Sequence, residues 1–365
     1  MSDPFKARQE PITVEARQAF QFYQNKKFAE LRSFVASQAA KIPNDFGLIF
    51  LGGLAACRLG DPAVGLREIK KAKLIFPEIE DYYSMEVFNR QNGMVSVADH
   101  LEANFIQYCN TFTTENFLIS YPKCGRTWVR IVLGKYLLGG KRGNPIDLTA
   151  LTFADPSLPT TIVTHDDGPH LIPSAKIMVN KAMYHGKRII FLVRDPRDVM
   201  VSNYFQYTKR NDNELANQEV FRGNLSDFIR SDVGGISSLI KFYNVWAENK
   251  EIPNNYEVVF YEDIHLSPLN SFKNMLQTFQ YPDFGDRALT DAIRFGEFEN
   301  LQKMEDVDAF DDARLRIADP GDPESRKIRR GKISGYVDYL TKSDIHFCNE
   351  IIQRQLHSDY QRYVT

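Results

Sequence analysis

The stretch Phe117-Leu118-Ile119-Ser120-Tyr121-Pro122-Lys123-Cys124-Gly125-Arg126-Thr127-Trp128 constrains the fold more than any other part of the chain. An apolar run enters it, and Pro122 and Gly125 force a turn. The positions Val129, Ile131, Val132, Tyr136 and Leu137 then follow at helical spacing. A strand that turns straight into a helix brings backbone N–H groups, an ammonium and a hydroxyl to a helix N-terminus, where an anion is stabilised. No Gly-Lys-Ser/Thr closes the turn, so it is not a Walker A loop. Alone, the segment argues for a phosphate site without saying whose phosphate.

A second segment narrows the choice. Arg188-Ile189-Ile190-Phe191-Leu192-Val193 is a continuous apolar run of the kind a parallel strand buried on both faces requires. It leads into Arg194-Asp195-Pro196-Arg197-Asp198, with proline early in the helix that carries Val199-Met200-Val201-Ser202-Asn203-Tyr204. Ser202 falls about two helical turns after Arg194. A third segment, Arg329-Arg330-Gly331-Lys332-Ile333-Ser334-Gly335-Tyr336, sets two adjacent guanidinium groups in a polar, glycine-bearing stretch. Two anion-binding elements at strand ends and a remote basic loop suit a ligand phosphorylated at two places.

In order and spacing, the three segments resemble the cytosolic-type sulfotransferases that use 3′-phosphoadenylyl sulfate (PAPS). The likeness covers roughly residues 112–360. The family's Pro-Lys-Ser-Gly-Thr-Thr-Trp is met by Pro122 to Trp128, its 3′-phosphate motif by Arg194 and Ser202, and its late Arg-Lys-Gly-x-x-Gly-Asp-Trp by Arg329 to Val337. The chain departs from the pattern at Cys124, Arg126, Arg330 and Tyr336-Val337. A thiol donates weakly where the family has a hydroxyl. Arg126 either adds charge near the 5′-phosphosulfate or points to solvent.

The resemblance implies in-line sulfuryl transfer, governed by positioning and charge stabilisation. It makes Lys123 the cation on the leaving phosphate and His165 the general base, with Ser202 completing the catalytic set. His165 ends the short strand Thr161-Ile162-Val163-Thr164, and a lysine often seen just upstream in the family is Val163 here. Histidine suits the base role because its unperturbed pKa is about 6.5. His170 is the nearby rival, set apart from the strand by Gly168-Pro169. The donor-binding set so implied is Lys123, Cys124, Gly125, Arg126, Thr127, Trp128, Arg194, Ser202, Tyr261, Phe298, Arg329, Arg330 and Gly331. Trp128 and Phe298 would stack on the two faces of the adenine, and Tyr261, read as the end of the strand Tyr256–Phe260, would contact the nucleotide. Asp263 reads as the cap of a helix beginning near Ser267. PAPS is the expected donor and adenosine 3′,5′-bisphosphate (PAP) the product, with no metal.

Composition agrees with an enzyme of this kind. A formal net charge of -2 with dispersed basic residues leaves no electrostatic footprint for nucleic acid. The 4 cysteines (Cys57, Cys109, Cys124 and Cys348) form no zinc spacing and suit a reducing compartment. The apolar stretch Phe46–Cys57 is too short to span a bilayer, and the opening Met1-Ser2-Asp3-Pro4-Phe5-Lys6 has no signal or transit pattern. The expected location is cytoplasmic, with no membrane span.

Residues 1–110 differ in kind from the rest, 111–365. Pro43 and Pro77 stand one tetratricopeptide period of about 34 residues apart. Small residues (Gly52-Gly53, Ala56, Gly65, Ala72) and a Gly60-Asp61 turn precede the second proline. A weaker copy, with Phe20, Tyr23, an Asn25-Lys26-Lys27 turn, Leu31 and Val35, precedes the first. Residues 12–77 therefore read as two tetratricopeptide-like helical hairpins, offering a surface for a protein partner or self-association. A plain helical extension is the other reading. Residues 80–111 read as further helix plus a connection, exposed at Asp99-His100-Leu101-Glu102.

Beyond that boundary, strands are expected near 117–121, 161–164, 188–193 and 256–261. Helices are expected over 126–138, 197–206, 234–248, 266–279, 286–294 and 343–356. The alternation gives an α/β fold with a P-loop-like, mainly parallel sheet flanked by helices, after a small all-α region. The Asp-, Pro- and Gly-rich stretch from Asp306 to Ser325 reads as a lid, mobile until nucleotide binds. Two other functions remain: a P-loop nucleotide kinase or hydrolase, and a non-catalytic tetratricopeptide adaptor. The acceptor is a hydroxyl compound, whether carbohydrate, lipid or small molecule.

Overall fold

The computed structural model describes residues 13–59, 61, 64–65, 67–68, 71–72 and 114–364, except 142, 156, 167, 211–220, 311 and 313–314. The expectations for the opening residues, the end of the second helical hairpin, and residues 80–111 lie outside the described residues. The chain divides into two compact units, Met1–Thr113 and Thr114–Thr365.

In the first unit, α1 (Val14–Gln24), α2 (Phe28–Gln38) and α3 (Phe46–Arg58) pack on one another. The turn predicted at Asn25-Lys26-Lys27 separates α1 from α2, with Lys26 in the left-handed region at φ 57°. Thr13 caps α1 by accepting the Ala16 N–H. Small residues form the seams, with Ala16, Ala19 and Ala55 buried beside Leu31, Leu48, Phe50, Leu51 and Leu54.

The second unit holds a four-stranded sheet of β1 (Asn116–Ser120), β2 (Thr161–Thr164), β3 (Arg188–Val193) and β4 (Asn255–Phe260). Every neighbouring pair is parallel, in the order β2-β1-β3-β4. All five residues of β1 are buried, as are all but the first of β3, which is why both read as unbroken apolar runs. Around the sheet stand α4 (Arg126–Leu138), α5 (Leu148–Ala154), α6 (Pro196–Lys209), α7 (Leu225–Arg230), α8 (Ile236–Glu248), α9 (Tyr261–Leu266), α10 (Pro268–Thr278), α11 (Gly285–Phe295), α12 (Phe298–Asp306) and α13 (Lys342–Gln355). Within a largely aliphatic core, Phe191 of β3 stacks on Trp246 of α8 at 5.6 Å, and Trp246 in turn lies parallel to Tyr256. The chain leaves β1 toward one neighbour and returns through β3 on the other side. The carboxyl ends of β1 and β3 therefore flank a switch point, where open α/β sheets collect ligands.

Three local readings need correction. Tyr261 opens α9 rather than closing β4. The helix expected over 266–279 is broken at Ser267, because Pro268 starts a new one at its first position. Asp263 caps nothing with its side chain; it sits inside α9 in a two-armed ion pair with Arg362. The stretch from Asp306 to Ser325 is also tied down in its described part. Phe310 and Leu315 are buried with Ile131, Ile146 and Leu301. The fully buried Arg210 donates to the carbonyls of Ser325 (2.7 Å) and Arg316 (2.9 Å).

The turn after β2 has its own anchor. Asp166 is buried with Lys181 at 2.6 Å, and its oxygens also accept from Tyr184 Oη (2.7 Å) and Trp246 Nε1 (3.0 Å). Removing one partner of a buried, hydrogen-bonded pair strands the other charge. Asp166→Asn is therefore expected to lower stability by about 3–5 kcal/mol, read as an earlier midpoint in urea unfolding.

Candidate functional site

The turn after β1 holds Lys123 at φ 73°, a left-handed conformation that costs a residue with a side chain about 1–2 kcal/mol. Strain of this kind persists where the surroundings over-determine the backbone. Gly125 follows at φ 92° as the N-cap of α4, and a β-carbon there would come within 2.5 Å of the Tyr261 ring. Glycine is required on both counts. The turn therefore delivers Lys123 to the crevice and starts α4 beneath it, with Arg126, Thr127 and Trp128 in the first turn.

Lys123 Nζ donates to Gln206 Oε1 of α6 at 3.0 Å. Burial, and then the charges of Lys327, Arg210, Arg329 and Arg194, hold its pKa well below the usual lysine range. A lysine so crowded by cations gains from an anion. Cys124 takes no part in that charge, since its side chain is fully buried 3.3 Å from the Tyr243 hydroxyl. Burial pushes its thiol up to about 12, so it stays protonated. The expected donor-binding role of Cys124 is thereby limited to its backbone. Tyr243 also accepts from the Arg194 N–H (2.9 Å) and donates to the Arg194 carbonyl (3.0 Å), which locks the turn after β1 to the end of β3.

His165 stands at the end of β2, next to β1. Its Nδ1 lies 2.8 Å from the Ser120 carbonyl, which can only accept, so the proton is on Nδ1. Nε2 is then the lone-pair nitrogen, and Arg126 Nη2 donates to it at 2.6 Å. Arg126 therefore does not point to solvent. Burial first, and then Arg126 and His170, hold the His165 pKa well below 6.5. His170 is less detached than its Gly168-Pro169 setting suggests. Its ring packs 5.4 Å from that of His165, and burial lowers its pKa to about 3.

Arg194 follows β3 and lies over the Tyr261 ring at 4.4 Å. It donates to the carbonyls of Lys123 (3.3 Å) and Lys332 (3.0 Å), joining the first turn to the late basic loop. Asp195 caps α6 by accepting the Arg197 N–H. One turn along, Asp198 accepts the Tyr336 N–H at 2.8 Å, which fastens the basic loop to the same helix. The Ser202 side chain, a turn further on, has no hydrogen-bond partner among the described residues. Arg329 is held by Glu324 Oε2 (2.6 Å) and Tyr339 Oη (2.6 Å), and Arg330 by Asp338 (3.0 Å). Gly331 sits at φ 61° against the Phe298 ring, where a β-carbon would meet it at 2.8 Å. Trp128 packs on His265 (4.7 Å), Tyr261 (6.0 Å) and Phe272 (6.2 Å).

Four contributors escaped the sequence reading: Gln206, Tyr243, Lys327 and Glu262. Gln206 and Tyr243 sit in ordinary helical patterns, and nothing local marks them. Glu262 accepts the Asp195 N–H at 3.0 Å and so braces the start of α6. Lys327 was visible as a cation before the Arg329-Arg330 pair, and that basic run is the signal that could have included it. Among the described residues, no group of three or more His, Cys, Asp or Glu side chains is gathered as for a metal ion.

Residues 113–359 match the sulfotransferase domain family, and the chain belongs to it. The chain is 26% identical to Rattus norvegicus sulfotransferase 2A6 over 179 residues, 46% of this chain and 61% of that relative. It is 26% identical to Rattus norvegicus sulfotransferase 2A1 over 260 residues, 68% of this chain and 87% of that one. The first of these matches thus spans less than two thirds of the relative's length. A crystal structure of mouse sulfotransferase SULT7A1 complexed with PAP aligns with a TM-score of 0.49 and 22% identity, over 69% of this chain and 88% of that chain. No helix among the described residues is long and apolar enough to cross a membrane.

Arg126 is the first charge acting against protonation of His165. Replacing it by threonine removes that charge and the hydrogen bond to Nε2, so the imidazole pKa is expected to rise toward 6.5. Nitrogen-detected NMR titration of His165 in Arg126→Thr checks this, with the acid limb of any activity profile moving to higher pH by the same displacement.

Proposed function

We propose that this chain moves the sulfuryl group of PAPS to an acceptor hydroxyl and releases PAP. The observation that carries the reading is the meeting of Lys123, His165 and Arg194 at the carboxyl ends of three adjacent parallel strands, around one helix N-terminus. The buried polar atoms fit such a donor. Arg194 Nε and Trp128 Nε1 are buried without a hydrogen-bond partner among the described residues. Four cations besides Lys123 act on the same crevice. On this reading the turn from Lys123 to Thr127 holds the 5′ end, with Cys124 and Gly125 contributing backbone. Arg194, Ser202, Arg329, Arg330 and Gly331 hold the 3′-phosphate. Trp128, Tyr261 and Phe298 face the adenine, each stacked ring adding about 1–3 kcal/mol.

When bound, the donor supplies a sulfuryl group and an anionic leaving phosphate. Lys123 stabilises the charge that develops on that phosphate, as a compact cation at a point contact. His165, neutral and protonated on Nδ1, accepts the acceptor's hydroxyl proton at Nε2. For that to happen Arg126 must leave Nε2, and its guanidinium is drawn to an anionic ligand in the crevice. The base is in this way exposed only when the donor site is filled. Ser202 supports the reaction through the 3′-phosphate rather than at the reacting atoms.

The acceptor is a carbohydrate, lipid or small-molecule hydroxyl compound. The N-terminal unit is a tetratricopeptide-like surface for a protein partner or for a second copy of the chain. Free Cys124 and Cys348 suit work in the cytoplasm. With radiolabelled PAPS and an accepted hydroxyl substrate, Lys123→Ala is expected to lower kcat by about 10²–10³-fold and His165→Ala by about 10²–10⁴-fold. Transfer at the wild-type rate by either variant contradicts the assignment. A chain that turns over ATP instead is a kinase or hydrolase, and one that binds no nucleotide is an adaptor.

A further inference from the structure

A second lysine reaches the same crevice from a distant part of the chain. The Lys327 N–H donates to Glu305 Oε1 at 2.6 Å, and the Ile328 N–H to Glu305 Oε2 at 3.3 Å. Glu305 is itself buried 3.8 Å from Arg210, whose guanidinium grips the Ser325 and Arg316 carbonyls. This frame fixes the backbone at Lys327 through buried groups on α12 and at the end of α6. Its side chain runs inward, and Nζ donates to Gln206 Oε1 at 3.3 Å. The same oxygen takes Lys123 Nζ at 3.0 Å. Two ammonium groups on one amide oxygen stand within about 6 Å of each other. Like charges at that spacing repel, and a neutral amide offsets only part of the cost.

Lys327 is also placed differently from the arginines that follow it. Arg329 is engaged by Glu324 and Tyr339, and Arg330 by Asp338. Lys327 shares the Gln206 oxygen with Lys123 and is one of the charges that act on His165. In an in-line displacement, the group in transit lies between the base-held nucleophile and the cation-held leaving oxygen. A second cation on the same amide oxygen as Lys123 stands beside the path of that group. We propose that Lys327 is a second catalytic cation, contacting the sulfonate oxygens of PAPS while Lys123 serves the leaving phosphate. Gln206 is the positioning residue that keeps the two ammonium groups apart and aimed at one ligand. This assignment rests on the donor reading of the site.

Because PAP has both phosphates but no sulfonate, the pair PAP and PAPS separates this role from general phosphate binding. Calorimetry without acceptor is the test, on wild type, Lys327→Met and Lys327→Arg. For Lys327→Met the expected outcome is a loss of PAPS affinity about tenfold greater than any loss of PAP affinity. Lys327→Arg is expected to restore most of the PAPS affinity. With acceptor added, kcat of Lys327→Met should fall about 10²-fold. Equal weakening of PAP and PAPS would assign Lys327 to the phosphates or to the frame, and overturn the proposal. So would unchanged binding of both. A wild-type chain that binds neither nucleotide overturns the donor reading and this inference with it.

Discussion

Positive charge concentrated on Lys123 is the constraint around which the second unit is arranged. Lys327, Arg210, Arg329 and Arg194 all act on one buried ammonium. Such a gathering is unfavourable without an anion, so each cation must be tied down. Arg194 is tied to the Lys123 and Lys332 carbonyls, Arg210 to those of Ser325 and Arg316, and Arg329 to Glu324 and Tyr339. Each of these arginines also has a carboxylate within 4 Å: Asp198 for Arg194 (3.5 Å), Glu305 for Arg210 (3.8 Å) and Glu324 for Arg329 (2.6 Å). Lys123 differs, since its hydrogen bond is to the neutral Gln206 amide, and on the proposed reading it is the ammonium that an anionic donor would satisfy.

The Arg126–His165 contact has the same logic on a smaller scale. The guanidinium makes a hydrogen bond that only the neutral imidazole can accept, and its charge opposes protonation of the ring. A base kept neutral near pH 7 is useful. A base whose lone pair is occupied is not, until an anion draws the guanidinium away. On the proposed reading, Arg126 covers the nitrogen that would take the proton, while burial first and the Arg126 charge second keep the ring neutral.

Features that were legible in the sequence depend on neighbours along the chain. The four strands, the turn from Pro122 to Gly125 and the proline at the start of α6 follow from apolar runs and from turn or cap chemistry within a few residues. The short helices α5, α7, α9 and α12 were missed, because six to nine residues carry too little periodicity to stand out. Gln206 and Lys327 meet across 121 positions and Arg126 and His165 across 39, pairings that no local pattern encodes. The anchoring of the Asp306–Ser325 stretch was hidden for a related reason. A polar, aperiodic stretch looks free until the distant Arg210 is found holding its carbonyls.

The claim that a doubly phosphorylated nucleotide is gripped at both ends is tested most directly by calorimetry of PAP against adenosine 5′-monophosphate, on wild type and on Arg194→Met. The account predicts that wild type binds PAP at least about 10²-fold more tightly than the monophosphate, as expected for loss of charge-assisted contacts to a whole phosphate. It also predicts that Arg194→Met loses most of that preference. Equal affinity for the two nucleotides, or a preference untouched by the Arg194 change, would contradict it.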